Sequence, residues 1–539
     1  MTPNHSRLQL DEERGPDQSI SRLCTARTAF VGRTLRGPVN RPVFIKSFGE
    51  FQQVFGGLWQ PSLLGYAVEQ FFDNGGREAL IVRVVNGARS ASLTLKAGSQ
   101  ALTLQALRPG TREYLRASVD FDNIPGDAAS LFNLTIQRVR AQGTGQVEDQ
   151  EIFQRVSVLP SHERYLPLAI TQSALIRLVG EMPQQRPDQT LDPASGLPTA
   201  YINSNSDGDD GAPLTDYDLI GSSLDHRGIF ALHHTERFNF LCVPPLSRTQ
   251  DVGPSTLLVA ARFCKERRAM LIVDPPSSWL TADDAIQGLR NWNFYNENAL
   301  MYFPRVLAHD KLRGQFESFA PCGAVAGMLA RQDEASPVWA PGQGEDAILR
   351  PGFRPACLVG EDRRARLATL GVNTILGMRS STRGSVLART LAASSSVNGD
   401  WRYLAARRLA LFILNCVESA TRWVTGATPG WAAASAATQI RRFFEDLQEA
   451  GTFGARRMDD AFFVICDARV NSRAAANEFH LLIGFAAMRE HEFNCFRITH
   501  SPLGAKIQPV SLNRLEFSKF SPAELEWVDS MAMSLSGES

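Results

Sequence analysis

From Leu404 onward the hydrophobic positions first keep a helical spacing and then abandon it. Leu404, Leu411, Phe412, Val417 and Trp423 fall near one stripe, with Arg407, Arg408, Glu418 and Arg422 on the remaining surface. That spacing predicts an amphipathic helix, ended by Gly426. Pro429-Gly430-Trp431 marks a turn. A second stripe of Ile440, Phe443, Phe444 and Leu447 follows and stops at Gly451. Three apolar runs come next, at 461–466, 479–485 and 493–498, rich in aromatic and β-branched residues. They read as strands. The stretch from Asp400 to Phe496 is thus a compact α+β unit.

The N-terminal half has a different texture. Residues 1–27 are polar, and read either as a frayed terminus or as an arm that orders only against another subunit. Strands are expected at 28–33, 43–45 and 79–85, and helices at 48–55 and 63–72. From 89 to 165, short alternating runs separated by Gly and Pro predict a small all-β module. Residues 180–224 read as a long, Pro-bearing connection. Between 225 and 395, apolar strands at 238–243, 269–273, 299–303 and 372–376 alternate with helices at 256–267 and 282–292. Continuous apolar strands joined by helices argue a parallel, doubly wound sheet.

Composition narrows the class. The 539 residues suit roughly three to four domains, and 44% hydrophobic with 21% charged is ordinary for a soluble protein. Lys+Arg and Asp+Glu both number 56. No net field favours nucleic acid or a membrane surface, and such neutrality is compatible with dense self-association. The eight cysteines are scattered, with no C-x-x-C pair, and read as reduced core residues. Met1 to Gly15 is polar, and no apolar stretch approaches the ~18 residues of a membrane span. The expectation is a protein made in a cytoplasm, with no membrane anchoring.

Ordered motifs carry more than composition does. Toward the N-terminus stand Ala29-Phe-Val-Gly-Arg33, Gly37-Pro38, Val54-Phe-Gly-Gly57, Gly65-Tyr-Ala-Val68, Phe71-Phe-Asp-Asn-Gly-Gly-Arg77 and Val82-Arg-Val84. Val243-Pro-Pro245, Val273-Asp-Pro-Pro276 and Phe319-Ala-Pro-Cys-Gly-Ala-Val-Ala-Gly327 follow. Trp401-Arg-Tyr403, Arg407-Arg-Leu409, Thr421-Arg-Trp-Val424, Ala461-Phe-Phe-Val464, Asp467 and Phe496-Arg-Ile498 complete the series. In this order they resemble the contractile tail sheath family, the outer sheath of contractile phage tails and phage-tail-like injection particles.

The resemblance implies an α/β and α+β multidomain chain. Its parts would be an N-terminal arm at 1–27, an N-terminal sheath segment at 28–88 and an outward-facing β insertion domain at 89–165. A subtilisin-like doubly wound middle domain would span 166–395 and a small α+β sheath domain 396–498. An extension at 499–539 lies beyond the match. The resemblance also implies a structural role without catalysis, cofactor or metal. Partners would be further copies in stacked six-fold rings, an inner tube, a baseplate, and terminator or cap proteins. Terminal arms in this family add strands to a neighbour's sheet, which makes Phe462, Val464, Leu481, Ile483, Phe493 and Phe496 candidates for the linkage. The helical cations exceed their local need, with Asp400, Glu418, Glu445, Asp446 and Glu449 as partners. Arg441, Arg442 and Glu445 are therefore candidates for a face toward the tube.

Two readings from other classes compete. One is a hydrolase on the subtilisin-like scaffold, for which Asp274, His309 with Asp310, and Cys322 are the nearest to a triad in chain order. No Gly-Thr-Ser-type nucleophile follows His309, and Cys322 with Gly323 and Gly327 also reads as a closely packed helix start. The other is a non-contractile tube or scaffold protein, which a chain this long with an α/β middle argues against. His226, His233 and His234 could be a metal cluster, yet neighbouring residues on a strand would face opposite ways, and with Asp225 and Arg227 flanking His226 the favoured reading is a solvated loop. His491 lacks the second histidine of a zinc helix. The acidic turn Asp207-Gly-Asp-Asp-Gly211 lacks the closing Glu of a calcium loop, and the Gly-rich turns lack the Lys-Ser/Thr of a P-loop.

Overall fold

The computed structural model describes residues 19–510, apart from 142–143, 193–195, 197–199, 342–343, 377–386, 393–398, 427–428, 456, 472–476 and 490–491. In chain order it begins with β1 (Thr28–Gly32), β2 (Val43–Ile45) and β3 (Ala79–Arg83). A run of β strands follows: β4 (Ser92–Ala97), β5 (Gln100–Ala106), β6 (Tyr114–Asp120), β7 (Leu131–Val139), β8 (Val147–Ser157), β9 (Ile176–Val179) and β10 (Ile202–Asn203). The middle of the chain adds β11 (Phe240–Cys242), β12 (Met270–Val273), β13 (Ala299–Phe303), β14 (Val306–Asp310), β15 (Gln315–Phe319), β16 (Arg354–Pro355) and β17 (Val372–Thr374).

The central sheet runs β17-β13-β12-β11-β1-β3-β2. It is parallel except where β2 meets β3. Alternate residues of each strand point to opposite faces, and both faces are buried. Ala29, Val31, Leu80, Val82, Leu241, Leu271 and Met301 meet helices Pro254–Arg267 and Ala282–Arg290. Phe30, Ile81, Phe240, Ile272 and Leu300 meet helices Phe48–Phe55, Leu64–Asp73 and Cys322–Ala335. The last two helices touch closely. A Cβ on Gly323 would stand 2.0 Å from the Ala67 carbonyl oxygen, and one on Gly327 2.2 Å from that of Phe71. Only glycine permits that approach.

Two expected boundaries move. Segments 28–88 and 166–395 are not separate, because β1 lies between β3 and β11 in one sheet. Local periodicity identifies strands but cannot report a pairing between residues some two hundred positions apart, such as Thr28 with Phe240.

The β module does not end at 165 either. Its sheets, β4-β5-β9 and β10-β6-β7-β8, enclose Leu93, Leu104, Ala117, Leu134, Ile136 and Val156, and each takes a strand from beyond 165. Bridges Asn86–Ala212, Arg89–Asp209 and Ser92–Ser206 close the base of the module. The acidic turn belongs to this base. The Asp210 carboxylate accepts from the Thr111 amide and hydroxyl, while Arg33 donates to the Asp210 and Gly211 carbonyls. Arg83, 1% exposed, donates to the carbonyls of Gly37 and Pro109 across the same joint.

Candidate assembly interface

The C-terminal unit is built on helix Leu404–Ala420, which is buried continuously from Ala406 to Glu418. Leu404 and Leu411 pack under the central sheet, while Leu409, Ile413, Cys416 and Val417 pack toward the C-terminal sheet. A helix held between two layers has no solvent face. This overturns the expectation that Arg407, Arg408 and Glu418 lie on its surface.

Each of these charges is engaged. Arg407 donates to Asn298 Oδ1 at 2.6 Å, its guanidinium lies 5.0 Å from the Trp401 ring centroid, and burial pushes it down to about 10. Arg408 pairs with Asp333, 4.9 Å from the Phe240 ring centroid. Glu418 takes Arg237, Arg268 and Arg422. Burial pushes its carboxyl up, but those arginines outweigh it and hold it below the usual range.

Helix Pro429–Glu449 meets expectation more nearly. Ile440, Phe443, Phe444 and Leu447 are buried, Arg441 and Arg442 exposed, and Glu445 half-buried. Beneath it lie β18 (Phe462–Ile465), β19 (Phe479–Phe485), β20 (Asn494–Ser501) and β21 (Gly504–Val510), an antiparallel sheet in that order. Phe462, Val464, Leu481, Ile483 and Phe496 all face the helices. The Phe444 ring stacks on Phe462 at 5.0 Å and 14°. Phe493 precedes β20 and packs on the opposite face, 5.5 Å from Phe463. The Phe463 ring also covers Gly484, where a Cβ would stand 2.1 Å from it.

The structure therefore brings together five of the six candidate linkage residues, but as core. What remains available for pairing is backbone: the outer edges of β18 and β21 pair with no other strand among the described residues. Strand β21 lies in the extension that sequence reasoning left unassigned. The turn at Ser501-Pro502-Leu503 and the alternation Ala505, Ile507 against Lys506, Gln508 were the available signal. Of the arm, residues 19–27 rest on the chain's own core. Ile20 is buried against the inner helix and Thr25 Oγ1 donates to Asp333. Residues 1–18 and 511–539 lie outside the described residues, as does His491.

The candidate triad does not form. Asp274 accepts from the Cys322 amide at 2.8 Å, and burial raises its carboxyl to about 6. The buried Cys322 thiol is pushed far above its ordinary value, which disfavours the thiolate. His309 stands exposed on a hairpin with its ring centroid 5.8 Å from that of Phe316, while Asp310 bonds Tyr66 and Arg248. The three histidines, by contrast, do come together, with ring centroids 4.5–5.9 Å apart. His233 and His234 end a short 3₁₀ turn, not a strand, so the alternation argument fails there. Among the described residues, no group is arranged to hold a metal ion, and no helix is long and apolar enough to cross a membrane.

No protein-family model and no curated protein sequence matches the chain. Solved structures do. A sheath tail protein from Listeria innocua matches at TM-score 0.57 and 11% identity, over 90% of this chain and 97% of that one. The sheath complex of PVC, an extracellular contractile injection system in its contracted state, matches at TM-score 0.52 and 14% identity. That match covers 92% of this chain and 96% of the other. At such identities the likeness is one of architecture, and it covers 90–92% of this chain. The chain has the fold of the tail sheath proteins.

Proposed function

We propose that the chain is the structural subunit of a contractile tail sheath. The observation that carries this reading is a fold shared over nearly the whole length of both chains with a sheath tail protein. Copies would stack as six-fold rings around an inner tube, between a baseplate and a terminator, as part of a phage tail or phage-tail-like particle assembled in a cytoplasm. Contraction would drive the tube through a target envelope. The work would be stored in subunit interfaces, with no cofactor consumed.

The linkage would be strand addition at the edges of β18 and β21, with Phe462, Val464, Leu481, Ile483 and Phe496 holding those strands in register from beneath. Residues 1–18 would be the part of the arm that reaches a neighbour. The outer helix, through Arg441, Arg442 and Glu445, would face the tube. The β module, hung on the base at 86–92 and 206–212, would face outward, and the central sheet would be the subtilisin-like layer. The test is electron microscopy of the recombinant chain without nucleotide. Tubes or stacked rings are expected. A monodisperse monomer at tens of micromolar, with neither end tagged, sinks the proposal.

A further inference from the structure

A cleft of about 510 Å³ opens where the base of the arm, the turn after the three histidines and the end of the inner helix meet. Its walls carry five guanidiniums: Arg27, Arg237, Arg267, Arg268 and Arg422. One buried carboxylate, Glu418, serves three of them. Arg27 takes Glu78 and Glu236. Glu266 on the rim is engaged by Arg262. Arg267 pairs with no carboxylate among the described residues and donates to the carbonyls of His233 and Thr235.

Five cations thus face three carboxylates, Glu78, Glu236 and Glu418, which leaves two positive charges in excess. All but Arg422 are held in half-buried positions, where charge is screened less than at an open surface. Burial, and then repulsion from Arg237, lowers Arg267, and Arg268 falls to about 10 despite Glu418. A neutral or cationic occupant would gain nothing from such walls. An anionic segment with several carboxylates would relieve them.

The chain supplies such a segment. Residues 520–539 contain Glu524, Glu526, Asp529 and Glu538, and no Lys or Arg. They follow β21, and the 29 residues from 511 to 539 reach at most ~100 Å, enough to cross one protomer or to enter the next. We infer that the arginine cleft is a docking site for the acidic segment 520–539 of this chain. This contact is electrostatic and separate from strand addition at the sheet edges, and it does not rest on the sheath reading.

The test uses the full chain with its own segment neutralised as Glu524→Gln, Glu526→Gln and Asp529→Asn, and a fluorescent peptide of the natural 520–539 sequence as probe. Anisotropy at low salt is expected to show saturable binding, weakened about tenfold or more by 0.5 M salt. Arg422→Glu, at a mostly exposed side chain, should weaken it by about the same factor. Glu236→Gln, also exposed, should tighten it about two- to threefold by adding to the excess. Thermal melting shows that each variant is folded. Absence of saturable binding, or equal binding by parent, Arg422→Glu and Glu236→Gln, overturns the inference. Binding that survives neutralisation of the peptide's own carboxylates overturns it too.

Discussion

Two helices of the C-terminal unit each carry an arginine pair, and the pairs have opposite fates. Leu404–Ala420 carries the pair Arg407-Arg408, and Pro429–Glu449 carries Arg441-Arg442, each beside an apolar stripe. The first pair is 7% and 8% exposed and bound to Asn298 and Asp333, whereas the second faces outward. The difference lies in what packs on the polar side of each helix. The inner helix meets a second layer there, and the outer helix meets solvent. An arginine pair therefore reports on function only after its surroundings are known. Of the four, only Arg441 and Arg442 are exposed.

The sharpest way to break this comparison is to invert charge inside. Arg407→Glu places a carboxylate beside Asn298 and near Glu297, whose own partner Lys265 is then the nearest cation given for that pair. The expected cost is about 3–5 kcal/mol, read as a collapse of the thermal melt or loss of folded chain. Arg407→Met keeps volume without charge and should cost about 1–2 kcal/mol. Equal damage from both would show that packing, not charge burial, sets the penalty.

A smaller effect concerns the acid limb. Glu418 titrates in the folded chain below its unfolded value, which lies near ~4.3. Its contribution is therefore present above that range and lost as pH falls through the folded value. Glu418→Gln is expected to cost about 1–3 kcal/mol at neutral pH, and less in acid. Its stability curve should thus converge with the parent's as pH falls. A constant offset between the two curves at all pH values would contradict the assignment.

The smallest effect on stability is expected outside. Arg441→Glu with Arg442→Glu should shift stability by no more than ~0.5 kcal/mol per site. In the sheath reading it should still abolish extended sheath on co-assembled tube, while sparing polymers formed by the chain alone. Intact extended particles would remove the outer helix from the tube face.

Much of the fold was legible in the chain because it rests on local spacing. Helix Phe48–Phe55 and strand Phe479–Phe485 fall on the expected residues, as does the stripe Ile440, Phe443, Phe444 and Leu447 of the outer helix, whereas the inner helix ends at Ala420, before Trp423, and splits its stripe between two layers. The stripe of apolar residues states which face is buried, but it says nothing about whether the opposite face is buried as well. Hence the misplacement of Arg407, Arg408 and Glu418.

Sequence by itself determined the types of element, the apolar strands of a sheet covered on both faces, and the glycines that let helices touch. Each follows from backbone sterics and from a period read over a few residues. Tertiary structure alone decided that β1 sits between β3 and β11. It also decided that the β module borrows strands from beyond 165, that three histidines meet at a 3₁₀ turn, and that one carboxylate gathers three arginines. These depend on contacts between residues far apart in the chain, whose free energy is set by which layers exclude water together.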